Sequence, residues 1–218
     1  MKLFVYCAGG FGREIVDLAN RINGTRRRWD EVCFIDDFAT DRTRYGIRLF
    51  SLEQILQEFG SLPFEVTIAN GEPFDREAIR KRLKERNLKL ASLIDDSAVV
   101  SETAVLGEGV TIPAFSFVSS SAMIGDNVTL NTNSLIGHDV TISENCVISS
   151  AVNIAGKCTL GRNTYVGMGS QIKQGVNIGS NVIIGMGSVV HDDVPDDVIA
   201  IGNPARVVLR NEKRRVFS

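Results

Sequence analysis

The chain has 218 residues, 44% of them hydrophobic, with 24 Lys and Arg against 26 Asp and Glu and a formal net charge of −2. That length holds one large domain or two modest ones, and the balanced charge argues against a polyanion-binding surface, so nucleic acid is not an expected partner. No apolar run approaches the ~20 residues of a membrane span.

The start, MKLFVYC, runs straight into a glycine loop without the grammar of a signal peptide. The four cysteines (Cys7, Cys33, Cys146, Cys158) show no CxxC spacing. A cytoplasmic protein with reduced thiols, and neither disulfides nor a metal site, is therefore expected.

Residues 1–92 alternate strand and helix. KLFVYC is a short apolar strand, AGGFG (8–12) a glycine turn, and REIVDLANRIN a helix with Ile15, Leu18, Ala19 and Ile22 on one face. EVCFID is a second strand, ending at the acid pair Asp36 and Asp37. Ser51 opens the next helix with Gln54 in the capping-box position. FEVTIAN and DREAIRKRLKERN supply a further strand and helix, and the basic runs Arg26 to Arg28 and Arg80 to Arg86 read as a solvated loop and helix face. This order predicts an α/β, Rossmann-like domain with a small parallel sheet, whose ligand sits at the carboxyl ends of the strands. A glycine turn between strand and helix offers backbone N–H groups and a helix N-terminus to phosphate.

Residues 93–218 follow another grammar. Stepping by six from Ile94 to Val190, all seventeen positions are Ile, Leu or Val, and the residue four further on is always small or β-branched. Glycine follows the aliphatic residue at 107, 125, 137, 161, 167, 179 and 185. This predicts an all-β parallel β-helix in which each hexad gives one strand and one corner. Three hexads per coil make five to six coils, about 27 Å tall at the spacing of hydrogen-bonded strands. The glycines are expected to supply corner angles that a Cβ resists. Cys146 and Cys158 fall at the small inward position, which makes them core residues rather than nucleophiles.

His138 and Asp139 lie off the inward positions. Taken alone, an outward histidine reads as a solvated surface group, Asp36 and Asp37 as turn caps, and Asn131 as a corner residue tolerant of left-handed geometry. His191 falls where the regular coils end.

The [LIV]-G-x-x-[STAVC]-x repeat resembles that of the hexapeptide acyltransferases, which form left-handed β-helices and usually work as trimers. With YCAGGFGREIVDLA…CFIDD ahead of the coils and IGNPARVV after them, nearly the whole chain is similar to the bacterial sugar acetyltransferases of the sialic-acid O-acetyltransferase-like family. The best-understood members N-acetylate nucleotide-linked 4-amino-4,6-dideoxysugars with acetyl-CoA in surface glycan precursor synthesis, including O-antigen. The chain departs from that pattern at Cys7, where the family loop typically begins with Gly, and at Phe11, often His.

The resemblance implies a role for each matching position. NTNSLIGHD (131–139) matches the catalytic stretch, making His138 the general base, Asp139 its orienting partner and Asn131 a sugar contact. Gly9, Gly10, Phe11, Gly12, Asp36 and Asp37 would hold a UDP, dTDP or GDP handle. Acetyl-CoA would lie in the groove between adjacent β-helices of a homotrimer, its thioester carbonyl on an N–H near Gly156. Met168, Gly185 and Met186 would line its path, with Pro204 and Arg206 at the adenine end. No metal is implied.

Chemistry supports such a small set of groups. Acetyl transfer from a thioester to an amine needs a proton acceptor, proximity and a stabilised oxyanion. Imidazole, with an ordinary pKa of ~6.5, suits the first task, and a carboxylate can fix its tautomer. Two other functions remain open: O-acetylation of a sugar such as sialic acid, and a non-catalytic binding β-helix. The zinc-binding hexapeptide proteins use histidine clusters that two distant histidines cannot supply.

Overall fold

A computed structural model describes residues 1–217. Strand β1 (Lys2–Tyr6) lies between β2 (Glu31–Ile35) and β5 (Phe64–Ile68), parallel to both. This central, two-faced burial explains its unbroken apolar run. β3 (Thr43–Arg44) and β4 (Ile47–Phe50) form a hairpin that completes the order β3-β4-β2-β1-β5. Sequence reading missed this hairpin, whose turn residues Tyr45 and Gly46 both have positive φ, the geometry that two-residue hairpin turns require. Helix α2 (Leu52–Phe59) begins at Ser51 with both capping-box bonds in place, as its sequence predicts.

Helix α1 (Gly10–Arg26) starts three residues earlier than expected, inside the glycine turn. A Cβ on Gly12 would sit 2.1 Å from the Cys7 carbonyl oxygen, so only glycine lets the helix begin against the strand end. Cys7 itself has φ 80, a conformation that favours glycine and is strained for a thiol-bearing residue. Helix α3 (Pro73–Lys84) follows β5 and has proline at its start.

From β6 (Leu93–Ile94) to β22 (Val189–Val190), seventeen two-residue strands recur every six residues. From β6 to β19 each pairs in parallel with the strand eighteen residues on, as in the ladder Val118, Ile136, Ile154, Ile172 and Val190. Three hexads therefore make one coil, and the coils stack into a left-handed parallel β-helix of three faces. The inward aliphatic residues, with Val128, Val140, Cys146 and Cys158 between them, form one continuous core. Burial pushes the Cys146 thiol up to about 12, and it donates to the Gly161 carbonyl at 3.1 Å. It is not a nucleophile.

The corners correct one expectation. From Gly109 to Gly187, the left-handed residue is the fourth of each hexad, occupied by Gly, Asn or Asp at most corners. The glycine directly after the aliphatic residue has a different reason. A Cβ on Gly137 would lie 2.6 Å from the backbone nitrogen of Gly156 in the next coil, and one on Gly167 would lie 2.5 Å from that of Met186. These glycines admit close stacking of coils rather than unusual angles.

The three faces are numbered from β6, β7 (Val99–Val100) and β8 (Val105–Leu106). A hairpin of β23 (Val198–Gly202) and β24 (Ala205–Arg210) extends the first face. The α/β domain covers that face, so its outward residues Thr111, Thr129 and Val147 are buried. At the edge between the third and first faces, Arg76 joins the two domains. Fully buried, it donates to the carbonyls of Ile68, Asn70 and Asn127 and to Asn127 Oδ1. Burial lowers its pKa to about 9, still far above neutrality, so it stays a cation.

Below Arg76 the side-chain amides of Asn127, Asn145, Asn163 and Asn181 each donate to the next, and Asn181 donates to the Asp197 carboxylate at 2.8 Å. The chain runs from a buried cation to a carboxylate with every dipole aligned, the arrangement in which hydrogen bonds reinforce one another. The basic runs are not simply solvated, as their sequence implied. Arg80 pairs with Asp126, Arg82 with Asp37, Arg26 with Asp96 and Arg28 with Glu65.

Candidate active site

The carboxyl ends of β1, β2 and β5 open onto a cavity of about 560 Å³, lined by Cys7, Gly9, Asp36, Asp37, Asn70 and Arg82 among others. α1 points its N-terminus here. Its cap, Gly9, has no side-chain bond, and the first turn carries no acidic residue. A Cβ on Gly9 or Gly10 would meet no protein atom within 4 Å. Exposed helical N–H groups with no acidic residue in their own first turn form an anion cradle.

The two aspartates differ. Asp37 accepts from Tyr6 Oη, from the Leu52 N–H at 2.8 Å and from Arg82 at 2.9 Å. Burial favours its neutral form, but these bonds prevail and hold its carboxyl below the usual range. Burial and the Asp37 carboxylate in turn raise the Tyr6 pKa, so the phenol remains a donor. Among the described residues Asp36 accepts only from the Phe38 N–H at 3.1 Å and from Arg44 at 3.4 Å. Acceptor capacity facing the cavity thus rests chiefly on Asp36. Burial pushes the Cys7 thiol up to about 11.

Phe11 lies apart from this cavity. It lines a smaller space of about 170 Å³ between α1 and the coils, shared with Asn131, Glu14 and Arg21. Sequence reasoning grouped Phe11 with the other loop residues, but side chains alternate around the first helical turn. It also missed Arg44, Asn70, Arg82 and Arg215, which line the larger cavity from four separate segments.

On the coils, His138 is outward and half exposed, with Nδ1 2.8 Å from Asp139 Oδ2. Asp139 occupies the left-handed corner position, φ 57, which directs its side chain back to the preceding residue. An Nδ1–H donated to this carboxylate leaves Nε2 as the lone-pair nitrogen. The ring lies over Gly156, eighteen residues on. A Cβ there would meet His138 Nε2 at 2.5 Å. The Gly156 N–H donates to no acceptor among the described residues.

The remaining coil residues lie on another edge. Asn131, Met168, Gly185 and Met186 occupy corners between the first and second faces, whereas His138, Asp139 and Gly156 occupy those between the second and third. The hairpin carrying Pro204 and Arg206 joins the former group, through the Gly202 N–H to Ser188 Oγ at 3.1 Å. His191 is exposed in the loop after β22. One whole face separates the two groups within a protomer.

Comparison with known proteins bears on what this arrangement serves. Residues 2–83 match the PglD N-terminal domain, and residues 157–192 match the bacterial transferase hexapeptide repeat. The acetyltransferase domain of PglB from Neisseria gonorrhoeae, solved in complex with acetyl coenzyme A, is 30% identical, with a TM-score of 0.88 over 95% of this chain and 98% of that one. The chain belongs to the hexapeptide-repeat sugar acetyltransferases.

PerB from Caulobacter crescentus, solved with CoA and GDP-perosamine, is 26% identical with a TM-score of 0.86, over 95% of this chain and 97% of that one. WeeI from Acinetobacter baumannii is 28% identical with a TM-score of 0.87, over 95% of this chain and 100% of that one. No curated protein sequence matches the chain. Among the described residues of this acetyltransferase, no group of His, Cys, Asp or Glu could hold a metal ion, and no helix is long and apolar enough to cross a membrane.

Proposed function

We propose that the protein moves the acetyl group of acetyl-CoA to the amine of a nucleotide-linked 4-amino-4,6-dideoxysugar, in the cytoplasm and in the synthesis of a surface glycan precursor. The observation that carries this reading is the His138–Asp139–Gly156 cluster in a family whose solved relatives hold CoA and an amino-sugar nucleotide. The sugar amine attacks the thioester carbonyl directly. His138 Nε2 takes the amine proton, and Asp139 fixes the tautomer and stabilises the imidazolium. The free Gly156 N–H, beside Nε2, is placed to receive the developing oxyanion. Collapse of the tetrahedral intermediate breaks the C–S bond, and the imidazolium returns its proton to the sulfur, so that CoA leaves as the thiol.

The nucleotide occupies the α/β cavity, its phosphates on the α1 N-terminus and its hydroxyls on Asp36. Asp37 acts from behind, holding Tyr6 and Arg82. Asn131 contacts the sugar. Met168, Gly185, Met186, Pro204 and Arg206 flank the CoA path, with the Arg206 guanidinium for a phosphate.

Two edges of one prism cannot close on a single substrate. A cyclic homotrimer solves this, because each subunit then sets the His138 edge against its neighbour's Met168–Met186 edge. Exposed apolar residues support this packing. Val99, Phe117 and Leu135 line the second face, and Val105 and Met123 the third, rows that a soluble monomer rarely leaves bare.

A thiol-release assay with UDP-, dTDP- and GDP-linked 4-amino sugars should show turnover with one of them. CoA release driven by a hydroxyl substrate and by no amine would overturn the reading. Gly156→Ala offers a finer check. Its Cβ displaces only an exposed imidazole, so the melting temperature should hold, while kcat falls by about 10². Unchanged kcat would separate the ring's placement from the chemistry.

A further inference from the structure

Beyond β24 the chain does not stop on the coils but returns to the α/β domain. The buried Asn211 anchors the turn, its amide donating to the Asn181 carbonyl at 2.8 Å and its N–H to the Asp197 carbonyl at 2.8 Å. The Arg214 guanidinium lies 5.0 Å over the Phe74 ring. The Val216 and Phe217 N–H groups then donate to the two oxygens of Glu72, at 2.9 and 2.7 Å. Phe217 packs edge-on against Tyr165, 5.7 Å between ring centres, and against Gly71.

Glu72 explains why this segment is held. It is 7% exposed and stands at the cap position of α3, yet its carboxylate bonds no N–H of its own helix. A buried carboxylate needs donors, and the strap provides two. Residue 215 is thereby pinned from both sides, and its guanidinium reaches the rim of the α/β cavity.

We infer that Arg215 is a phosphate-binding residue of the nucleotide site, carried there by the 211–217 strap. This rests on the nucleotide reading above. The three arginines of the cavity are Arg44, Arg82 and Arg215. Arg44 pairs with Asp36 and Asp41, and Arg82 is shared between Tyr6 and Asp37. Arg215, like Arg82, bonds through Nη1 alone, on Asp75 at 2.6 Å, and its side chain is the most exposed of the three. The guanidinium fork keeps Nη2 and Nε for a planar anionic partner. The ligand class is a nucleoside diphosphate, whose pyrophosphate would bridge the α1 N-terminus and the strap.

Isothermal titration of UDP, GDP and dTDP against the full chain tests this, with acetyl-CoA and the matching nucleoside as controls. Arg215→Ala should weaken the bound diphosphate about tenfold, leave acetyl-CoA and nucleoside affinities unchanged, and raise KM for the nucleotide sugar with kcat steady. Arg215→Lys should recover part of the loss. Glu72→Gln, which weakens the strap's anchor, should lower diphosphate affinity in the same direction. A diphosphate Kd within twofold of wild type in Arg215→Ala sinks the inference, as does an equal loss for the nucleoside. If the wild-type chain binds acetyl-CoA but no diphosphate, the nucleotide reading itself fails.

Discussion

His138→Ala should lower kcat by about 10²–10⁴-fold with little change in affinity for acetyl-CoA or for the nucleoside diphosphate. The magnitude follows from the work assigned to the ring. A 4-amino sugar attacks as its proton leaves, and with Nδ1 held by Asp139 the Nε2 lone pair is the acceptor at this corner. The Asp139 carboxylate is turned to Nδ1, and His191 lies in the loop beyond the last coil strand. The ring is half exposed and packs on a glycine, so its loss opens no core cavity and the melting temperature should stay put. Stopped assays of CoA thiol release, together with titration of each substrate, separate these effects. An unaffected kcat would place the base elsewhere. Asp139→Asn should have a smaller effect on kcat, because the amide can still hold the ring but cannot stabilise its cation.

The second large effect concerns the joint between domains. Arg76→Ala should destabilise the protein by about 3–5 kcal/mol, the usual scale for breaking a buried, charge-assisted network, with the melting temperature falling by about 10 °C. The substitution strands the Ile68, Asn70 and Asn127 carbonyls and Asn127 Oδ1 in a buried seam, and unpaired buried acceptors are costly. It also removes the cation that heads the asparagine chain. Asn127→Ala should therefore couple strongly to it: the double variant ought to lose clearly less than the two single losses combined. Calorimetry measures this directly, and a loss below about 1 kcal/mol would mean that water or a rearranged side chain replaces the guanidinium.

The same Arg76 shows where sequence reading runs short. Within DREAIRKRLKERN nothing distinguishes it from Arg80 or Arg82, since helix periodicity gives a face but not what the face meets. Only docking makes Arg76 a buried pin, Arg80 a partner of Asp126 and Arg82 part of the cavity. The left-handed corner residue, by contrast, carries a local signal that sequence reading passed over in favour of the glycines: Asn127, Asn133, Asp139, Asn145 and Asn163 recur at the fourth hexad position among residues that tolerate positive φ. The capping box at Ser51 and Gln54 is equally local and equally legible, whereas the β3–β4 hairpin hides in a two-residue Tyr-Gly turn.

The sequence by itself determined the β-helix, because a repeat in which every coil stacks on its own copy carries its packing in the period. His138 and Asp139 were singled out by the family resemblance of their stretch, and their mutual contact is local, since neighbours in sequence at one corner are neighbours in space. What the sequence left to tertiary structure was every relation between non-repeating parts: Phe11 beside Asn131, and Arg215 carried back to the cavity of β1. Such contacts depend on how two rigid bodies dock and on where a returning segment is anchored. Those outcomes are set by Arg76, Glu72 and Asn211 together, and no one stretch of chain encodes them.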